Sequence, residues 1–236
     1  MKNKTIILIT VITSFFILLI GYKVIKNYEV EKKLHVELKE LTKLTNQVDI
    51  INNKYKIEKK LTNYICNNKY LIVEKAYKKY LLDIFNESII VNEVLNDEKL
   101  KNVLTIENIN KDKEFIETIS YLEETKIKFN TAIESLISLF SITKMMSYIE
   151  NENLDKYYIN LYEKICYDEN TEEKFNKTKE SLNLTLETYN NIFNVYDEAI
   201  NFLIINESSY EIKDGLLYFE NDELSNEYNS IVSKLK

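Results

Sequence analysis

The residue types able to do chemistry are few. The chain of 236 residues holds one histidine, His35, and two cysteines, Cys66 and Cys166. All 31 of its basic residues are Lys, against 38 Asp and Glu, and it has two Gly and no Pro or Trp. A zinc site of the His-Glu-x-x-His kind needs two histidines. A di-iron bundle needs Glu-x-x-His on two helices, and the residue three before His35 is Lys32. His35, between Leu34 and Val36, therefore reads as a surface or seam residue.

Without Arg there is no bidentate clamp for phosphate or carboxylate. Neither a Gly-rich dinucleotide fingerprint nor a P-loop is present. The formal charge of −7 disfavours nucleic acid, which is bound through a basic face. Cys66 and Cys166 form no Cys-x-x-Cys motif. Each sits among apolar helical residues and reads as a small buried hydrophobe. A single Cys66–Cys166 disulfide is the alternative if the compartment oxidises and two helix ends meet.

Carboxylates are plentiful, but Glu123-Glu124, Glu172-Glu173 and Asp222-Glu223 stand among Lys at helical spacing. An acid/base pair needs two carboxylates in a cleft with their pKa values driven apart. These pairs read instead as solvated or first-turn charges. Many of the 18 tyrosines lie on apolar faces, among them Tyr55, Tyr77, Tyr80, Tyr157, Tyr158, Tyr189 and Tyr196. Their apolar bodies and polar tips suit a bundle core or rim; stacking on carbohydrate is the other use. No catalytic, cofactor-binding or metal-binding residue is assigned, and no cofactor is expected.

The elements that carry these residues read as helical. Two glycines and no proline argue against folds built on many tight turns. Thr5 to Tyr22 is uncharged over 18 residues. As helix this spans about 27 Å, close to a hydrocarbon core of about 30 Å. Lys2, Lys4 and Lys23 flank it and can snorkel. A cleaved signal peptide competes, but no small-x-small site follows the core. The segment is expected to be an uncleaved signal anchor in the lipid bilayer. Lysines on both sides leave the positive-inside rule undecided. A four-residue N-tail behind a short core favours an extracytoplasmic bulk of the chain, with the cytoplasmic orientation as the alternative.

Beyond the anchor, a 3–4 spacing runs through Leu34, Leu41, Leu44, Val48, Ile51, Tyr55, Thr62 and Ile65. A break is expected at Asn67-Asn68. Helices follow over 70–85, 96–104, 112–150, 154–166 and 171–205. Irregular chain surrounds the short helix, within 86–111. The helix over 112–150 should carry a seam Phe115, Ile119, Leu122, Phe129, Ile133, Leu136 and Phe140. The helix over 171–205 should carry Phe175, Thr178, Leu182, Leu186, Tyr189, Phe193, Tyr196, Ile200 and Leu203. These two long helices are expected to pack antiparallel.

One segment breaks the pattern. Tyr210 to Phe219 is centred on Asp214-Gly215, a favoured two-residue turn. It predicts a hairpin with Tyr210 opposite Phe219 and Ile212 opposite Leu217, all four on one face that must pack on something.

The expected class is all-α. An N-terminal transmembrane helix continues into an elongated antiparallel helical bundle or coiled coil, with one small β-hairpin near 210–219. Along the chain this divides into a short N-tail (1–4), the anchor (5–22) and a single domain (23–236) whose last helix covers 222–235. The expected role is a non-catalytic, single-pass interaction, sensor or scaffold protein of the cell envelope. It would contact a protein partner or its own copies through helical faces. The alternatives are a cytoplasm-facing tethered scaffold and a cell-envelope hydrolase using carboxylates alone.

Overall fold

The computed structural model describes residues 31–34, 36–37, 40–41, 50–150 and 153–235. The expected anchor over 5–22 lies outside the described residues, as do His35, Leu44 and Val48. Among the described residues, no helix is long and apolar enough to cross a membrane. The fold is mostly helical with one two-stranded antiparallel hairpin.

Among the described residues from 50 onward there are nine α-helices: α1 (Ile50–Thr62), α2 (Asn68–Leu95), α3 (Glu98–Lys101), α4 (Ile106–Lys111), α5 (Ile116–Leu139), α6 (Ile142–Glu150), α7 (Lys156–Cys166), α8 (Thr171–Ile205) and α9 (Asp222–Ser233). The strands β1 (Tyr210–Lys213) and β2 (Leu216–Phe219) lie between α8 and α9. The described residues of 31–41 are helical as well.

Two compact units emerge. The first takes its residues from Met1–Asn92 and Ala132–Asn183, the second from Glu93–Thr131 and Leu184–Lys236. Helices α2, α5 and α8 contribute residues to both.

In the first unit α2 carries a long buried stripe. Val73, Ala76, Tyr77, Tyr80, Leu81 and Ile84 are buried, as their spacing predicts. The helix does not end at Phe85 but runs to Leu95. The polar residues Asn86, Glu87 and Ser88 do not end it. With no Gly or Pro to stop the backbone, the helix continues, and the Ser88 hydroxyl donates back to the Ile84 carbonyl at 2.7 Å.

The stripe expected through α1 is also corrected. Tyr55 is 73% exposed and Thr62 is exposed, while Ile57 and Leu61, one turn apart, are the buried pair. Leu34 and Leu41 are buried, as expected.

The expected helix over 112–150 is two helices. It breaks at Phe140-Ser141, where the Ser141 hydroxyl accepts from the Lys144 N–H at 3.1 Å and caps α6. Its start lies at Ile116, with Asp112 as the capping side chain: the carboxylate accepts from the Thr118 N–H and hydroxyl, each at 2.7 Å. The seam residues of α5 are buried except Ile119, which is half-buried. Helix α7 begins after Asp155 and not at Leu154, and it buries Leu161, Tyr162 and Cys166 while Tyr157 is exposed.

Helix α8 keeps its expected bounds, and its seam is buried except for half-buried Leu186. Its start is tied by Asp168, whose carboxylate accepts from the Asn170 N–H at 2.9 Å and the Thr171 hydroxyl at 3.1 Å. In the second unit α5 and α8 run antiparallel. Asn130 bonds Asn190 at 3.1 Å and Lys126 bonds Asn194 at 3.0 Å. Between them the Phe129 and Tyr189 rings meet at 5.0 Å.

The hairpin has the expected register, Tyr210 to Phe219 and Ile212 to Leu217. Asp214 and Gly215 both take positive φ, 52° and 74°, as a primed two-residue turn requires. The inner face packs within the second unit: the Phe219 ring lies 5.8 Å from Phe202 of α8 and 5.4 Å from Tyr228 of α9. Asn221 caps α9 by accepting from the Leu224 N–H at 3.0 Å.

Candidate functional site

The most concentrated polar cluster is in the first unit, at the loop joining α1 to α2. Asn68 closes this loop with φ 54°, a conformation Asn tolerates better than most residues. Two turns into the helix, the Glu74 carboxylate accepts from the Ile65 N–H at 3.1 and 3.0 Å and from the Cys66 N–H at 2.8 Å. One turn further, Lys78 Nζ lies 2.9 Å from Glu74 Oε1. It also donates to the Asn63 carbonyl at 2.5 Å and to Glu37 Oε1 at 3.1 Å. Lys60 reaches the other oxygen of Glu37 at 3.4 Å and Glu40 at 2.5 Å.

Glu74 and Lys78 are fully buried. Both charges are paired and hydrogen-bonded to backbone, which is the condition for keeping charges out of water. This arrangement leaves the carboxylate occupied by donors and closed to a substrate proton. It is a clasp: it holds the helical residues around Glu37 against the α1–α2 loop.

The thiols are equally withdrawn. Cys66 and Cys166 are free and buried, so they are the small hydrophobes expected and not a disulfide. Burial, then the neighbouring Glu74 carboxylate, pushes the Cys66 thiol up to about 12. Burial pushes Cys166 up as well. A nucleophilic cysteine needs the opposite shift, toward thiolate at neutral pH.

Of the tyrosines read as core, Tyr77, Tyr80, Tyr189 and Tyr196 are buried, Tyr158 is half-buried, and Tyr55 and Tyr157 are exposed. Tyr80 donates to the Leu139 carbonyl at 3.1 Å and Tyr162 to the Met145 carbonyl at 2.8 Å. Each satisfies a main-chain acceptor near the end of a helix or within a short one. Among the described residues, the buried Tyr77 hydroxyl meets no hydrogen-bond partner. Tyr157 and Tyr158 form a T-shaped pair at 5.1 Å, and the Tyr157 hydroxyl bonds Glu31.

Described residues also line shallow clefts. One of about 390 Å³ in the first unit is lined by Tyr55, Glu58, Lys59, Thr62, Leu82 and Asn86. One of about 380 Å³ in the second unit is floored by Leu122, Phe193 and Ile200 and rimmed by Glu123, Lys126 and Asp197. Lys126 there sits 3.7 Å from Asp197 and bonds Asn194, so its ammonium is already engaged within the cleft. Glu123-Glu124, Glu172-Glu173 and Asp222-Glu223 are all exposed. Among the described residues, no group of three or more His, Cys, Asp or Glu is placed to hold a metal ion.

Sequence reasoning missed the clasp. Its only local signal is the Glu74/Lys78 spacing of four, which is the same for a solvated surface pair. No family model, curated protein or solved structure matches the chain.

Proposed function

We propose that the chain is a single-pass, membrane-anchored helical protein that acts through protein–protein contacts, as a sensor or scaffold at the cell envelope, without catalysis. The observation that carries this is the uncharged run Thr5–Tyr22 between Lys4 and Lys23, long enough as helix to span a hydrocarbon core. The elongated coiled-coil character and the contact with a protein partner or a second copy through helical faces belong to this reading. A cluster whose charges are saturated by their own neighbours supports a structural role for it rather than a reactive one. The bulk of the chain lies outside the cytoplasm in this reading.

Two measurements test it. After an alkaline carbonate wash the full chain should stay with the membrane; release into the supernatant overturns the anchor. On intact cells, an impermeant maleimide applied under mild unfolding should label Cys66 or Cys166. Protection until lysis reverses the orientation and leaves a scaffold tethered at the cytoplasmic face.

A further inference from the structure

The cleft of about 390 Å³ in the first unit is built from two helix faces. Tyr55, Glu58, Lys59 and Thr62 are spaced i, i+3, i+4 and i+7 on α1, so they form one stripe. That stripe rises about 10 Å along the helix. Leu82 and Asn86, one turn apart on α2, line the cleft from the other side. Half-buried Leu82 and the 73% exposed ring of Tyr55 supply its apolar surface.

The polar groups of this cleft are unspent. Among the described residues, no hydrogen bond or ion pair engages the Tyr55 hydroxyl, the Glu58 carboxylate, the Lys59 ammonium or the Asn86 amide. Thr62 donates to the Glu58 carbonyl at 2.8 Å, and its oxygen stays available as an acceptor. The cleft of the second unit differs: there Lys126 is held by Asn194 and Asp197.

The chemistry of these side chains selects the ligand. One carboxylate and one ammonium leave the cleft without net charge. In a shallow cleft both charges stay hydrated and screened, so an ion gains little from either. Lys59 can only donate and Glu58 only accept, while Asn86 and the Tyr55 hydroxyl do both. A ligand that meets them all is neutral and carries several groups that each donate and accept. It also needs an apolar face to lie on the Tyr55 ring. A pyranose with equatorial hydroxyls meets both conditions, with hydroxyls around its edge and axial C–H groups on its faces.

We propose that this cleft binds a neutral saccharide, with one pyranose face stacked on Tyr55 and the hydroxyls bonded by Glu58 and Asn86. The site goes beyond the membrane-anchored reading and stands whether or not residues 5–22 span a bilayer.

Saturation-transfer NMR on the full chain tests it, with cellobiose and N,N′-diacetylchitobiose as probes. At least one of the two should take up saturation, most strongly at its axial C–H protons. Tyr55→Ala should weaken that binding about tenfold, and Tyr55→Phe should restore it. Both changes are at an exposed position and should leave the thermal midpoint where it is. The affinity should stay level between about 0.05 and about 0.5 M NaCl, because no ion pair carries it. Silence of both disaccharides overturns the proposal, as does equal transfer with Tyr55→Ala. Binding that fades with salt, or a glycine zwitterion that binds more tightly than either sugar, overturns it as well.

Discussion

Lys78 Nζ lies 2.9 Å from Glu74 Oε1, and neither side chain is reached by solvent. Withdrawing two charges from water costs several kcal/mol per ion, and their attraction offsets this only when the remaining hydrogen-bonding positions are filled. Here they are filled, by the Ile65 and Cys66 amides on one side and by the Asn63 carbonyl and Glu37 on the other. Removing one partner strands the other. Lys78→Met should lower the unfolding free energy by about 3–5 kcal/mol. Adding Glu74→Leu to it should cost clearly less than the sum of the two single changes. Urea unfolding of the four species gives the coupling; additivity within about 0.5 kcal/mol would show that the two residues act independently.

Tyr77 and Tyr80 make a paired experiment. Both are buried in the first unit; among the described residues the Tyr77 hydroxyl meets no partner, whereas Tyr80 donates to the Leu139 carbonyl at 3.1 Å. An unmet buried hydroxyl carries a desolvation cost of about 1–3 kcal/mol, whereas a made bond contributes about 1 kcal/mol net. Tyr77→Phe should therefore raise the thermal midpoint or leave it unchanged, and Tyr80→Phe should lower it. A drop of equal size in both would mean that the Tyr77 hydroxyl is bonded after all.

What could be read in advance depended on whether the deciding interaction was local. The hairpin was legible because Asp214-Gly215 and the short runs that flank it act over ten residues. The bounds of α8 were legible because nothing interrupts its seam from Phe175 to Leu203. The break at Ser141 was not. Phe140 and Met145 continue an apolar face across it, and one serine hydroxyl turning to cap Lys144 separates the two helices. Burial of Glu74 and Lys78 was the least legible feature, because it is set by loop amides and by Glu37, 37 residues before Glu74 in the chain.

Alkaline pH should weaken the fold. Burial and the nearby Glu74 raise the Cys66 thiol from an ordinary value of 9.0 to about 12. Above pH 9 the unfolded chain loses this proton while the folded chain keeps it. The folded state then binds more protons, so stability falls as pH rises. The contribution is intact below about pH 9 and declines between about 9 and 12. Tyr121 and Tyr148 act with the same sign from about pH 10: burial raises both hydroxyls, followed by the hydrogen bonds to Asp97 and Asp83. The urea midpoint should be level from pH 7 to 8.5 and fall by pH 10.5, and Cys66→Ala should flatten the first part of that fall. A midpoint that rises over this range would reverse the sign.

Gly215 isolates the cost of one backbone angle. Its φ is +74°, and a Cβ built there meets nothing within 4 Å. Gly215→Ala therefore adds no clash, only the penalty of an L-residue in the left-handed region, about 1–2 kcal/mol. That penalty falls on a hairpin whose inner face is held by Phe219 against Phe202 and Tyr228. Exchange of the Glu211 and Lys213 amides should quicken about tenfold or more, in proportion to that cost. Ala199, buried in the C-terminal part of α8, should keep its rate if the hairpin opens by itself. Should Ala199 quicken by the same factor, the aromatic contact couples hairpin and helix into one cooperative unit, and the turn glycine supports the stability of the helix as well as the shape of the loop.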